Sequence, residues 1–143
     1  MKPIHILLVE DNEGDIILTR DALEEYKIIT QLSIARDGKE ALDFLEVQLL
    51  QNSGNLPDLI LLDINLPKKS GHEVLEIIKQ NESLKQIPVI ILTTSSSDQD
   101  IHRSYKSHAN CFITKPVEAE HFLEVVSKIE DFWISIVKLP SNK

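Results

Sequence analysis

The chain has 143 residues, 42% of them apolar, enough for one hydrophobic core and too few for a second folded domain. Its 15 basic and 23 acidic residues give a net charge of -8, which argues against nucleic acid or an anionic lipid surface as a direct partner. A single cysteine, Cys111, excludes an internal disulfide and fits a reducing, cytoplasmic compartment. The early apolar stretch 6–9 is cut off by Glu10 and Asp11, too soon for a signal-peptide core. No apolar run approaches the ~20 residues that a membrane span requires.

In chain order, the apolar run at 4–9 predicts a strand, and 14–26 a helix. A second strand at 32–35 leads through the turn Asp37-Gly38 into a helix over 38–50, and residues 51–57 form a polar loop. A third run at 59–62 precedes a helix over 70–80, whose Ser70 and Glu73 have capping-box spacing. A fourth strand at 89–92 is followed by Ser95, Ser96 and Ser97, which offer cap oxygens for a helix over 98–108. A fifth strand at 111–113 and a long helix over 118–137 complete the pattern. Runs one, three and four are nearly continuous Ile, Leu and Val, as expected of strands covered on both faces. Five strand-then-helix units predict an α/β fold with a parallel sheet, right-handed crossovers and helices on both faces.

In such sheets, sites form beyond the carboxyl ends of the strands. The residues arriving there are Glu10 and Asp11 after the first run, Asp63 after the third, Thr93 and Thr94 after the fourth, and Lys115 after the fifth. Carboxylates brought within 4 Å repel by about 4 kcal/mol per pair at an effective dielectric of 20, so the group calls for a cation. An all-oxygen ligand set suits Mg²⁺ or Mn²⁺. Beside such an ion, a carboxylate can attack phosphorus and become an acyl phosphate, with Thr93 and Lys115 available to the phosphoryl oxygens.

The segments V-E-D-N, L-L-D-I-N-L-P, I-L-T-T-S and T-K-P resemble, in order and spacing from residue 4 to about 137, the signature segments of response-regulator receiver domains. The resemblance implies a doubly wound, flavodoxin-like, five-stranded sheet of order 2-1-3-4-5. It implies Asp63 as phosphoacceptor, Thr93 as switch hydroxyl and Lys115 as the phosphate-pairing lysine, with the bond to Pro116 cis. For the metal it implies Asp11 and Asp63 as ligands, Glu10 acting mainly through water, and Asn65 through its backbone carbonyl. Phe112 falls at the position of a rotameric aromatic. Glu10 departs from the aspartate frequent in the family, and Thr94 is larger than the Ala or Gly common there, which would restrict water and lengthen the phosphoryl lifetime. A narrower resemblance, carried by T-T-S-S-S-D-Q-D-I, S-Y-K-S-H-A-N-C-F-I-T-K-P-V and I-E-D-F-W-I-S-I-V-K-L-P, is to the single-domain regulators that partner bacterial phytochrome histidine kinases.

The expected whole is one receiver domain over 1–143 with a core at about 4–137 and no output domain. It would accept a phosphoryl group from a sensor histidine kinase and signal by conformational change or phosphorelay, without being an enzyme. Taken singly, Asp63 reads as a capping acid, Thr93 as a β-branched strand residue and Lys115 as a surface lysine; their convergence argues for a site. Lys68 and Lys69 read as a solvated loop, Cys111 as core packing, and the five histidines as surface groups without metal-ligand spacing.

On the last predicted helix, Phe122, Val125, Val126, Ile129, Phe132, Trp133, Ile136 and Val137 form one apolar stripe, with Leu123 and Ile134 off it. Its length, together with the family resemblance, suggests a homodimer through the fourth helix, fifth strand and fifth helix, with Tyr105 and Trp133 as candidate contacts. Two rivals are a haloacid-dehalogenase-type phosphatase, which needs an acid where Asn65 stands, and a phosphate-independent pseudo-receiver, which usually lacks the acidic pocket.

Overall fold

The computed structural model describes residues 4–25, 30–51, 55–94 and 111–126. The elements are β1 (Ile4–Val9), α1 (Glu13–Glu25), β2 (Thr30–Ala35), α2 (Gly38–Gln51), β3 (Leu59–Asp63), α3 (Gly71–Gln80), β4 (Val89–Thr93), β5 (Cys111–Thr114) and α4 (Ala119–Val126). The helix expected over 98–108 and the candidate dimer contacts Tyr105 and Trp133 lie outside the described residues, as does the last helix beyond 126.

All four strand pairings are parallel, and the sheet order is β2-β1-β3-β4-β5. This is the expected doubly wound topology. β1, β3 and β4 are buried at every position, because helices cover both faces. Side chains alternate between two cores. Ile6, Leu8, Leu59, Leu61, Ile90, Leu92 and Ile113 meet Ile16 and Leu23 of α1 and Phe122 and Val125 of α4. Leu7, Val9, Ile60, Leu62, Val89 and Ile91 meet Ala41 and Leu45 of α2 and Val74, Leu75 and Ile78 of α3. A fully buried Leu or Ile contributes about 1.5–3 kcal/mol. The four that precede Asp63 in β3 therefore outweigh the cost of ending the strand on a partnered carboxylate.

Three helix starts follow from local sequence. Asn12 accepts from the Asp15 amide through Oδ1 at 2.9 Å and caps α1. Asp37 does the same for α2, its Oδ1 2.7 Å from the Glu40 amide. Ser70 and Glu73 form the expected capping box at α3.

Several expectations are refined. Asp63 and Thr93 are the last residues of β3 and β4 rather than the first beyond them, since both still pair in the ladder region. Two histidines contradict the surface reading: His5 is 4% and His72 is 3% exposed. His5 lies on a strand covered on both faces, and His72 on the inward face of α3. His121 is exposed, and His102 and His108 lie outside the described residues. Phe122 and Val125 face the core as the stripe predicts, and Leu123, placed off the stripe, is half-buried against the same core. Cys111 packs there as well.

Candidate functional site

Strand alternation decides which strand-end residues meet. Glu10 continues the face of Ile6 and Leu8, Asp63 that of Leu59 and Leu61, and Lys115 that of Ile113. All three therefore emerge on the side covered by α1. Thr93 continues the face of Val89 and Ile91, which is also the face of Phe112. The site thus has an acidic half on one side of the sheet edge and a hydroxyl–aromatic pair on the other.

Lys115 organises the acidic half. Its Nζ lies 2.8 Å from Glu10 Oε1, 3.0 Å from Asp15 Oδ2 and 3.0 Å from Asp63 Oδ2. The Lys115 amide donates to the carbonyl of Thr93 at 2.7 Å, tying β5 to the end of β4, and the Lys115-Pro116 bond is cis as expected. The second oxygen of Asp63, Oδ1, accepts from the Asn65 amide at 3.0 Å. The second oxygen of Glu10, Oε2, accepts from the Asn12 amide at 3.2 Å. Both buried carboxylates are therefore hydrogen-bonded at each oxygen, as burial demands.

Burial pushes the Glu10 carboxyl up to about 7, and the neighbouring Asp63 carboxylate adds to this, while Lys115 and the Asn12 amide act against it. Burial works against the charge of Lys115, but Glu10, Asp15 and Asp63 together outweigh it and hold the ammonium above the ordinary lysine range. The ion pairs supply most of the compensation that these buried charges require.

The loop after β3 is held from two directions. A Cβ on Gly71 would fall 2.3 Å from the Asp63 carbonyl oxygen and 2.7 Å from Ile64 Cα, so only glycine lets α3 start directly against the end of β3. Lys68 takes a positive φ of 68° and pairs with Asp37 at 3.3 Å, linking this loop to the cap of α2.

Glu10, Asp11 and Asp63 each offer a carboxylate oxygen, and these oxygens lie within 4.8 Å of one another. Opposite ligands of Mg²⁺ stand about 4.2 Å apart, twice the 2.0–2.1 Å Mg–O distance, so side-chain shifts of about half an ångström would bring the three oxygens to such an ion, and their hard-oxygen chemistry suits it. Asp11 and Asn65 are exposed, whereas Asp63 is 2% and Thr93 2% exposed. Thr94 is exposed beside Thr93, and Phe112 is half-buried against the α2–α3 core.

The structure thus gathers Glu10, Asp11, Asp63 and Lys115 and sets Thr93 at the same edge. Asp15 lies outside all the motif segments. Its signal was its position: it sits in the first turn of the helix that leaves the site, one turn beyond Asp11.

Comparison with known proteins agrees with this architecture. The family model for the response regulator receiver domain matches residues 6–127. Response regulator Rcp1 of Synechocystis sp. is 46% identical over 139 residues, covering 97% of this chain and 95% of that protein. A crystal structure of the Mn(2+)-bound form of response regulator Rcp1 superposes with a TM-score of 0.73 over 92% of this chain and 94% of that one, at 46% identity. The bacteriophytochrome response regulator AtBRR gives a TM-score of 0.80 at 42% identity, covering 90% of this chain and 93% of that one. The phosphorylated cyanobacterial phytochrome response regulator RcpA gives 0.76 at 44% identity, covering 94% and 96%. With a family match across most of the chain and a relative this similar along nearly its full length, the protein belongs to the response regulator receiver domain family of two-component signalling.

Proposed function

We propose that Asp63 is the phosphoacceptor of this receiver and that the donor is the phosphohistidine of a phytochrome-type sensor kinase. The observation that carries the reading is the placement of Asp63: a carboxylate 2% exposed, at the end of a buried strand, 3.0 Å from the Lys115 ammonium and grouped with two further acids. An Asp63 oxygen attacks phosphorus, the bond from phosphorus to the donor imidazole nitrogen breaks, and the imidazole leaves with the electron pair. Lys115 offsets the charge of the incoming phosphoryl oxygens, and the Asn65 amide keeps the Asp63 carboxylate oriented. Thr93 supplies a hydroxyl to a phosphoryl oxygen, and the movement this requires is passed to Phe112, which shares its face of the sheet.

A divalent cation, Mg²⁺ or Mn²⁺, would be held by the carboxylates of Glu10, Asp11 and Asp63, with the backbone carbonyl of Asn65 as a further ligand. When bound it neutralises charge on the transferring group. The Mn(2+)-bound form of Rcp1 and the phosphorylated form of RcpA, both similar to this chain, support the metal and the modification. The names of Rcp1, AtBRR and RcpA support a phytochrome-type kinase.

The phosphatase alternative loses support at Asn65, an amide side chain where that chemistry needs a proton-donating acid. Among the described residues, no helix is long and apolar enough to cross a membrane. Phosphotransfer profiling against the histidine kinases of the source organism tests the kinase assignment. The proposal expects rapid transfer from a phytochrome-like kinase, and preferential transfer from a kinase of another class would overturn it.

A further inference from the structure

We propose that Asp15 is a positioning residue that tethers Lys115 to the α1 side of the site, so that the lysine and a divalent cation can share the Glu10 and Asp63 carboxylates. The inference rests on the reading of Glu10, Asp11 and Asp63 as the metal-binding carboxylates.

An ammonium group has three N–H donors. In Lys115 they face three carboxylates, Glu10 at 2.8 Å, Asp15 at 3.0 Å and Asp63 at 3.0 Å, so its donor capacity is spent. Two of these partners belong to the trio whose oxygens lie within 4.8 Å of one another; Asp15 does not. A cation entering the trio therefore draws on the same two carboxylates as the lysine. The two positive centres also repel, twice as strongly for a divalent ion as for a monovalent one at equal distance. Asp15 is the anchor that only the lysine uses.

Its placement suits the task. The Asp15 amide is fixed by the cap oxygen of Asn12 at 2.9 Å, which sets the backbone of the first turn of α1. The Asp15 side chain is 29% exposed, against 1% for Glu10, so its charge is stabilised by water as well as by Lys115. With the ammonium drawn toward Asp15, the second oxygens of the two shared carboxylates, Glu10 Oε2 and Asp63 Oδ1, meet the backbone amides of Asn12 and Asn65 rather than the lysine. Without Asp15, the lysine has only the two shared carboxylates, and it competes with the cation for both.

A remote negative charge also favours cation binding, so the test must separate a tether from a field. Mg²⁺ affinity is measured by isothermal titration calorimetry on the wild type, Asp15→Asn, Lys115→Met and the double variant. With Lys115 present, Asp15→Asn is expected to weaken Mg²⁺ binding at least about fivefold more than it does in the Lys115→Met background, a coupling typical of residues in one ionic network. The same factor in both backgrounds would overturn the tether. Labelling of wild-type Asp63 by acetyl phosphate is followed in parallel. If Mg²⁺ binds and Asp63 is labelled while the cycle is additive, the tether alone fails; if wild type binds no Mg²⁺, the metal reading fails with it.

Discussion

Nζ of Lys115 lies 3.0 Å from Oδ2 of Asp63, an ammonium from the end of β5 meeting a carboxylate from the end of β3 across the intervening β4. The contact joins residues 52 positions apart, and its side chains are 9% and 3% exposed. Without a metal, Lys115 is the positive charge that lets Glu10 and Asp63 sit together in the interior.

Lys115→Met should therefore destabilise the metal-free protein by about 3 kcal/mol, the lower end for breaking a buried ion pair. The loss is limited because Glu10, already pushed up to about 7, can take a proton in response. Saturating Mg²⁺ supplies the missing charge and should restore about 2.7 kcal/mol at a hundred times its Kd. Urea unfolding with chelator and with Mg²⁺ checks both figures; a variant as stable as wild type in chelator would contradict the role given to Lys115.

Gly71→Ala forces a methyl group toward backbone atoms rather than toward a yielding side chain, 2.3 Å from the Asp63 carbonyl oxygen. The expected cost is about 3 kcal/mol, the upper part of the range for overpacking, because the carbonyl belongs to a strand buried on both faces. The displacement falls on the backbone of Asp63, the proposed phosphoacceptor, so the folded variant should also label more slowly with acetyl phosphate. Thermal melts and labelling rates measured on one preparation would separate the two effects.

His5 predicts a pH dependence at the opposite end of β1 from the site. Its ring is buried, 2.7 Å from Ser33 Oγ through Nε2 and edge-on to Phe44. Burial lowers its pKa below 6.5, with Asp58 acting partly against this. The unfolded chain thus takes up the proton before the folded one does. Stability is full above about 6.5 and falls as pH drops toward the lowered folded value, with a slope of at most about 1.4 kcal/mol per pH unit for one proton. The difference between wild type and His5→Leu across pH 5 to 8 isolates this slope, and parallel curves would contradict it.

Much of this arrangement was legible in the sequence because local and global signals agreed. The unbroken run Leu59 to Leu62 marked a strand covered on both faces, and the structure buries all four. The pair Ser70 and Glu73 marked the start of α3 and forms the capping box there. Four separated segments fixed the positions of Glu10, Asp11, Asp63, Thr93 and Lys115.

What escaped depended on the third dimension. Asp15 was invisible as a partner of Lys115 because the phase of α1 against the sheet edge, set by the Asn12 cap, decides whether that acid faces in or out. The burial of His5 is hidden because a lone polar residue in an apolar run carries no sign of its hydrogen-bonding neighbours, and that of His72 because, between Gly71 and Glu73, its side depends on how the first turn of α3 packs. Gly71 gave no hint from spacing alone, since its role arises from how closely α3 approaches β3.

The most direct test of the central claim is labelling of the full chain with acetyl phosphate and Mg²⁺, followed by intact-mass and peptide analysis, for wild type and Asp63→Asn. The account predicts one added phosphoryl group on the peptide that contains Asp63, lost in Asp63→Asn and suppressed when the metal is chelated. Labelling that persists in Asp63→Asn, or that maps to another residue in the wild type, would contradict it.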